Sequence, residues 1–134
     1  MNPHLDLLLN SLEAWNRQDF STYRKLYTED AVIFGLAPVP VDVPTALAGY
    51  EAFFAGFPDL HLKVLDTICE NGNIAVHFQL TGTHHGPFQG IPATGRTIDV
   101  NGITTLHYRD GHVYARWNQL EQLKMLQQLG VIPD

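Results

Sequence analysis

The sequence predicts an α+β domain with its helices first and an antiparallel sheet after them. Apolar residues recur at helical spacing in the first part of the chain, as far as Phe57. From His61 onward they alternate as in half-buried strands, and two turn signals, Glu70-Asn71-Gly72-Asn73 and Arg109-Asp110-Gly111, separate the alternating runs. At 134 residues, 45% hydrophobic and 16% charged, the chain has the length and composition of one compact domain, 1–134.

The elements follow in order. Asn2-Pro3 has the form of a helix N-cap with proline at the first helical position. Leu5, Leu8, Leu9, Leu12 and Trp15 then define an amphipathic helix to about residue 17. Trp15, at the end of this stripe, is either core or the wall of a pocket. Asp19 and Ser21 start a second helix, 21–28, carrying Tyr23, Leu26 and Tyr27. Glu29-Asp30 ends it, and Ala31-Val32-Ile33-Phe34 reads as a short strand. Residues 35–44 hold three prolines and cannot form a central strand or a helix interior. A third helix runs from Pro44 to Ala55, with Leu47, Tyr50, Phe53 and Phe54 along one side. Gly56 and Pro58 stop it.

Strands are predicted over His61–Cys69, Ile74–Thr81, Thr97–Tyr108 and His112–Asn118, and a last helix over 121–129 carries Leu123, Leu126 and Leu129. Between the second and third of these strands lies a loop, 82–96, rich in glycine and proline, whose Phe88 and Ile91 suggest that it packs on itself. A three-residue turn ending in Gly111 pairs Tyr108 with His112, whereas a two-residue turn would swap the face assignments that follow. One face of that hairpin then carries Gly102, Thr104, Leu106, Tyr114, Arg116 and Asn118; the other carries Ile103, Thr105, His107, Val113, Ala115, Trp117 and Gln119. The first face covers helices and any pocket. The second, with Ile103 and Trp117, is covered by another copy of the chain, so a homo-oligomer is expected.

Composition excludes several classes. A net charge of −6 argues against nucleic acid or an anionic membrane as partner. Cys69 is the only cysteine, so no internal disulfide forms, and its expected place is as a small buried hydrophobe. The start of the chain lacks a basic region, Asp6 interrupts the run Leu5–Leu9, and no apolar segment approaches membrane-spanning length. A soluble, cytoplasmic protein is expected. Seven histidines include no His-x-His or His-Glu-x-x-His pattern, and no metal site is expected. No nucleophile elbow, phosphate loop or dinucleotide fingerprint is present, so no cofactor is expected either. Glu121, near a strand end, could serve as a buried general base. The first turn of a helix, where acidic residues are favoured, is the better explanation of it.

The loop pattern Gly82-Thr83-His84-His85-Gly86-Pro87-Phe88-Gln89-Gly90-Ile91-Pro92-Ala93-Thr94-Gly95-Arg96, with Phe57-Pro58-Asp59-Leu60 before it and Trp117 and Leu126-Gln127-Gln128-Leu129-Gly130 after it, closely resembles the SnoaL-like polyketide cyclases over about the whole chain. The resemblance implies the cone-shaped fold shared with nuclear transport factor 2 and ketosteroid isomerase. In that fold, N-terminal helices pack on a curved antiparallel or mixed sheet and enclose a hydrophobic pocket, usually in dimers or tetramers. It also implies ring closure by intramolecular aldol condensation without metal or cofactor. Carried over on the Asp110-Gly111 turn, the cyclase acid–base aspartate falls on Asn118 and its histidine partner on Thr104. Neither can exchange a proton near neutral pH as Asp and His do, although both can hydrogen-bond a carbonyl or developing enolate. Trp15 falls on an aromatic pocket position, and Gly49 and Phe53 fall on or near the substrate-contacting part of the third helix. Phe34, Phe78, His84 and Arg116 complete the expected substrate-binding set, and Asn118, Thr104 and Glu121 the catalytic one. The short strand at Val32-Ile33-Phe34 offers no carboxylate for isomerase chemistry of the ketosteroid type. The expected function is therefore the binding of a small hydrophobic carbonyl compound with cyclisation or isomerisation; the alternative is a binding module without turnover.

Overall fold

The computed structural model describes residues 2–134. In chain order the elements are α1 (Pro3–Asn16), α2 (Phe20–Tyr23), a 3-10 turn (Arg24–Leu26), β1 (Tyr27–Phe34), α3 (Val43–Gly56), β2 (His61–Glu70), β3 (Asn73–Thr83), β4 (Thr97–Arg109), β5 (His112–Leu120) and α4 (Gln122–Gln128). The five strands form one sheet in the order β1-β5-β4-β3-β2. β1 runs parallel to β5 and every other pair is antiparallel, so the sheet is mixed. The helices pack on one face of this curved, open sheet, as the α+β reading expects.

Local chemistry explains the helix starts. The Asn2 side chain accepts from the Leu5 N–H with Pro3 at the first position, and α1 buries Leu8, Leu12 and Trp15. Asp42 caps α3 by accepting from the Thr45 N–H at 2.9 Å, which starts that helix one residue before Pro44. No helix among the described residues is long and apolar enough to cross a membrane.

Four expectations need correction. The second helix ends at Tyr23, and strand begins already at Tyr27, because Tyr27 aligns with Val113 of β5 and gains a sheet partner that local propensity cannot anticipate. Cys69 is exposed rather than buried; it lies in the far half of β2, an edge strand with no buried residue from Asp66 to Glu70. In α4 it is Met125 and Leu129, four residues apart, that face the core, while Leu123 is 65% exposed.

The fourth correction concerns the β4–β5 hairpin. Its turn has two residues, with Asp110 at φ 52° and Gly111 at φ 84°, so Arg109 rather than Tyr108 opposes His112. Three residues later Tyr114 is an extra, bulged residue, and the pairing resumes as His107 with Ala115. The turn shifts the register by one and the bulge shifts it by one more. Val113 and Tyr114 therefore exchange faces, with Val113 buried and Tyr114 exposed. Beyond the bulge the parity is restored: Thr104, Leu106, Arg116 and Asn118 are all buried on the helix-facing side, with Thr104 directly opposite Asn118.

The loop after β3 is clamped to α3. The His85 and Gly86 N–H groups both donate to the Gly56 carbonyl at 3.0 Å, and a Cβ at Gly86 would collide with the Ala55 carbonyl oxygen. Phe88 and Ile91 exchange two backbone hydrogen bonds, and the Phe88 ring packs on Phe53 and Phe57.

Candidate functional site

Between the sheet and the helices lies a cavity of about 370 Å³. Its walls are mostly apolar: Leu12 and Trp15 from α1, Tyr50 and Phe53 from α3, Phe78 and Leu80 from β3, Phe88 from the loop, and Met125 from α4. Gly49 contributes space, since a Cβ there would meet nothing within 4 Å. Polar groups reach the cavity from Tyr23, Tyr50, Gln89, Arg116, Asn118 and Gln122. Among the described residues, no carboxylate and no histidine lines it.

Arg116 is the centre of the polar end. It stands on β5, is 4% exposed, and reaches across to the segment that joins α2 to β1. Its Nε donates to Thr104 Oγ1 at 2.8 Å, and its Nη1 donates to both Tyr23 OH (2.6 Å) and Tyr27 OH (2.9 Å). The two phenols lie 2.6 Å apart and share a further hydrogen bond. Among the described residues Nη2 has no hydrogen-bond partner and is not sealed off, so it is the guanidinium nitrogen left to the cavity. Burial works against the charge on Arg116, but the oxygens of Tyr23, Tyr27 and Tyr50 outweigh it and hold the group firmly protonated. Burial pushes the Tyr23 phenol well up, and Tyr50 up to about 12, so both are neutral donors at physiological pH.

Thr104 does not line the cavity. Its hydroxyl donates its one proton to the Trp117 carbonyl at 2.9 Å and accepts from Arg116, which it helps to hold. Asn118 does line the cavity; its Nδ2 donates to the Phe34 carbonyl at 3.2 Å, leaving Oδ1 free. Trp15 lies edge-on to Tyr50 at 5.7 Å and tilted against Phe54 at 4.8 Å, forming one wall. Gly49, Phe53 and Phe78 line the cavity as well.

Three expected residues stand elsewhere. The Phe34 ring stacks on Trp117 at 4.6 Å, on the face away from the helices. His84 is fully buried beside the loop, stacked on Phe57 at 5.1 Å; its Nδ1 accepts from the Thr94 N–H, and its Nε2 has no partner. Glu121 stands at the N-cap position of α4 but its side chain does not cap the helix; its Oε1 accepts instead from the Asn101 N–H of β4 at 2.7 Å, and the side chain is partly in solvent. The residues that sequence reasoning missed are Tyr23, Tyr27 and Tyr50. Tyr23 ends α2 and Tyr27 begins β1, so it is the 3-10 turn between them that brings the two phenols together, and helical spacing gives no signal for it.

An apolar cavity floored by a mixed sheet and roofed by helices is the architecture of an α+β fold of the nuclear transport factor 2 type. The chain belongs to the SnoaL-like polyketide cyclase family, whose model matches residues 6–129. Among solved structures, AclR from Streptomyces galilaeus, a candidate hydroxylase, is 30% identical, with a TM-score of 0.89 over 98% of this chain and 83% of that one. IdmH from Streptomyces antibioticus, a candidate polyketide cyclase, is also 30% identical, with a TM-score of 0.85 over 97% of this chain and 99% of that one. A SnoaL-like protein from Jannaschia sp. CCS1, at 24% identity, shares the fold with a TM-score of 0.85 over 98% of this chain and 94% of that one. No curated protein matches the sequence.

Proposed function

We propose that this chain binds a small, hydrophobic, carbonyl-bearing molecule of the polyketide type and turns it over by cyclisation or isomerisation without a cofactor. The observation that supports this is a cavity whose apolar walls converge on one cation, Arg116. Cyclisation and isomerisation of such compounds place negative charge on a carbonyl oxygen as the enolate forms. A fixed guanidinium in a site with little water stabilises that charge. In this reading Arg116 acts on the oxygen, Asn118 and Tyr50 orient the ligand, and Trp15, Gly49, Phe53 and Phe78 set its shape. Thr104 is a positioning residue for Arg116, and Glu121, Phe34 and His84 take no part.

A second reading, a binding module without turnover, is favoured by the lining itself: proton transfer calls for a carboxylate or histidine, and the cavity has neither among the described residues. Both readings share a homo-oligomeric, cytoplasmic protein in which a second copy covers the sheet face carrying Ile103 and Trp117, which are 54% and 43% exposed.

The test is turnover of an aromatic β-keto ester precursor, followed by product chromatography. Wild type is expected to accelerate ring closure over buffer, and Arg116→Gln to lose about a hundredfold of that acceleration. Asn118→Asp, which adds a base where the family carries one, is expected to raise the rate. Tight binding with no turnover by either wild type or Asn118→Asp decides for the binding module.

A further inference from the structure

We infer that the cavity takes its ligand as an organic anion, a hydrophobic ring system bearing a carboxylate or an ionised enol that meets Arg116. This rests on the small-molecule reading above and narrows it to a charge class.

The first observation is a buried cation without a counterion. All three hydrogen bonds that Arg116 makes within the chain go to hydroxyl groups, those of Thr104, Tyr23 and Tyr27. The ion pairs among the described residues engage Arg17, Arg109 and Lys124 instead. A guanidinium cannot escape burial by deprotonating, as a lysine can, so one held only by hydroxyl groups keeps its charge without an anion to neutralise it. The tyrosines do not supply the missing charge, because burial keeps Tyr23 and Tyr50 protonated.

The second observation is direction. Thr104 and the two phenols occupy Nε and Nη1, so the one nitrogen left with free N–H groups faces the cavity. An oxygen anion there completes the set of partners and neutralises the charge in one contact. The chain as a whole carries −6, so this positive point is local to the cavity rather than a property of the surface.

The third observation concerns the absent base. Asn118 and Thr104 stand where the family resemblance puts an acid–base pair, and nothing in the lining replaces it. A substrate that arrives as its enolate has already lost the proton such a pair would remove.

The experiment compares anthraquinone-2-carboxylate with anthraquinone-2-carboxamide, which share a ring system and differ in charge, by calorimetric titration of the full chain. Wild type is expected to bind the carboxylate at least about tenfold more tightly, and Arg116→Gln to bind the two within about twofold of each other. Asn118→Asp keeps the guanidinium and adds a competing carboxylate on the same face of β5. It is expected to lose most of the preference while still binding the amide, and it decides the matter should Arg116→Gln fail to fold. Titration with 2-phenylindane-1,3-dione, followed by the absorbance of its enolate, separates the two sources of charge. Ionisation at lower pH when bound, without a carboxylate preference, assigns the enol, and the reverse assigns the carboxylate. Equal binding of carboxylate and amide by wild type, with no shift in the dione, overturns the anion assignment but leaves small-molecule binding standing. So does a preference that survives in Arg116→Gln. Failure of all three compounds to bind removes the cavity reading itself.

Discussion

Consecutive residues of β5 meet opposite surroundings. Arg116 and Asn118 are buried against the helices, while Trp117 between them is 43% exposed on the other face, stacked on Phe34 and edge-on to His107. The most polar side chain of the strand is inside and the largest apolar one is outside. A strand sorted by hydrophobicity alone would be turned over. What holds Arg116 inside is a set of specific partners, Thr104 directly across the hairpin's diagonal and the Tyr23–Tyr27 pair above it, whereas the outer face is held by little more than ring contacts. The inner face is specified by hydrogen bonding, and the outer face by no comparable set of partners among the described residues.

Substitutions on the two faces test this contrast. Leu106, fully buried on the inner face, should give the largest effect: Leu106→Ala is expected to cost about 2–5 kcal/mol in urea unfolding. Alkaline pH attacks the same face. The buried tyrosines have folded pKa values raised above the unfolded value of 10.0, so their contribution is complete below about pH 10 and is lost as pH rises toward 12. For Tyr50 this amounts to about 2–3 kcal/mol, and the fall in stability over that range should be shallower in Tyr50→Phe than in wild type. Thr104→Val keeps the shape and removes the hydroxyl that holds Arg116 Nε; a loss of about 1–2 kcal/mol is expected, with weaker ligand binding restored by Thr104→Ser. The smallest effect belongs to the outer face. Ile103→Lys should change unfolding of the single chain by less than about 0.5 kcal/mol and yet lower the oligomeric state seen in sedimentation. An Ile103→Lys cost equal to that of Leu106→Ala would erase the distinction between the faces.

How much of this is legible in the sequence depends on which residues are asked. The alternation of Ile74, Val76, Phe78 and Leu80 reads directly as β3, because a period of two needs no tertiary information. The β4–β5 register is a subtler case. Asp110-Gly111 is a strong signal for a two-residue turn, and reading three residues there displaces the pairing by one. The bulge at Tyr114 displaces it by one again, so the inner positions of Thr104, Arg116 and Asn118 come out right through two compensating slips. Bulges leave no residue signature of comparable strength. The roles within the site are less legible. Thr104 reads as a ligand-facing residue by alignment, but whether a hydroxyl faces ligand or arginine depends on a side chain twelve residues away. Tyr27 reads as helical because its strand partner, β5, lies far along the chain.

The clamp at Gly86 has a consequence for how such a cavity could be retuned. The base of the loop is fixed to the end of α3 by two N–H groups on one carbonyl, while its tip places Phe88 and Gln89 in the cavity wall. Gly90 and Gly95, by contrast, have open space where a side chain would stand. The loop is therefore fixed at its base on α3 and at its return on His84, with Pro92 and Ala93 between these ties. Changes of length between Gly90 and Gly95 should reshape the mouth of the cavity while the anchor on the Gly56 carbonyl, and with it Arg116, keeps its place.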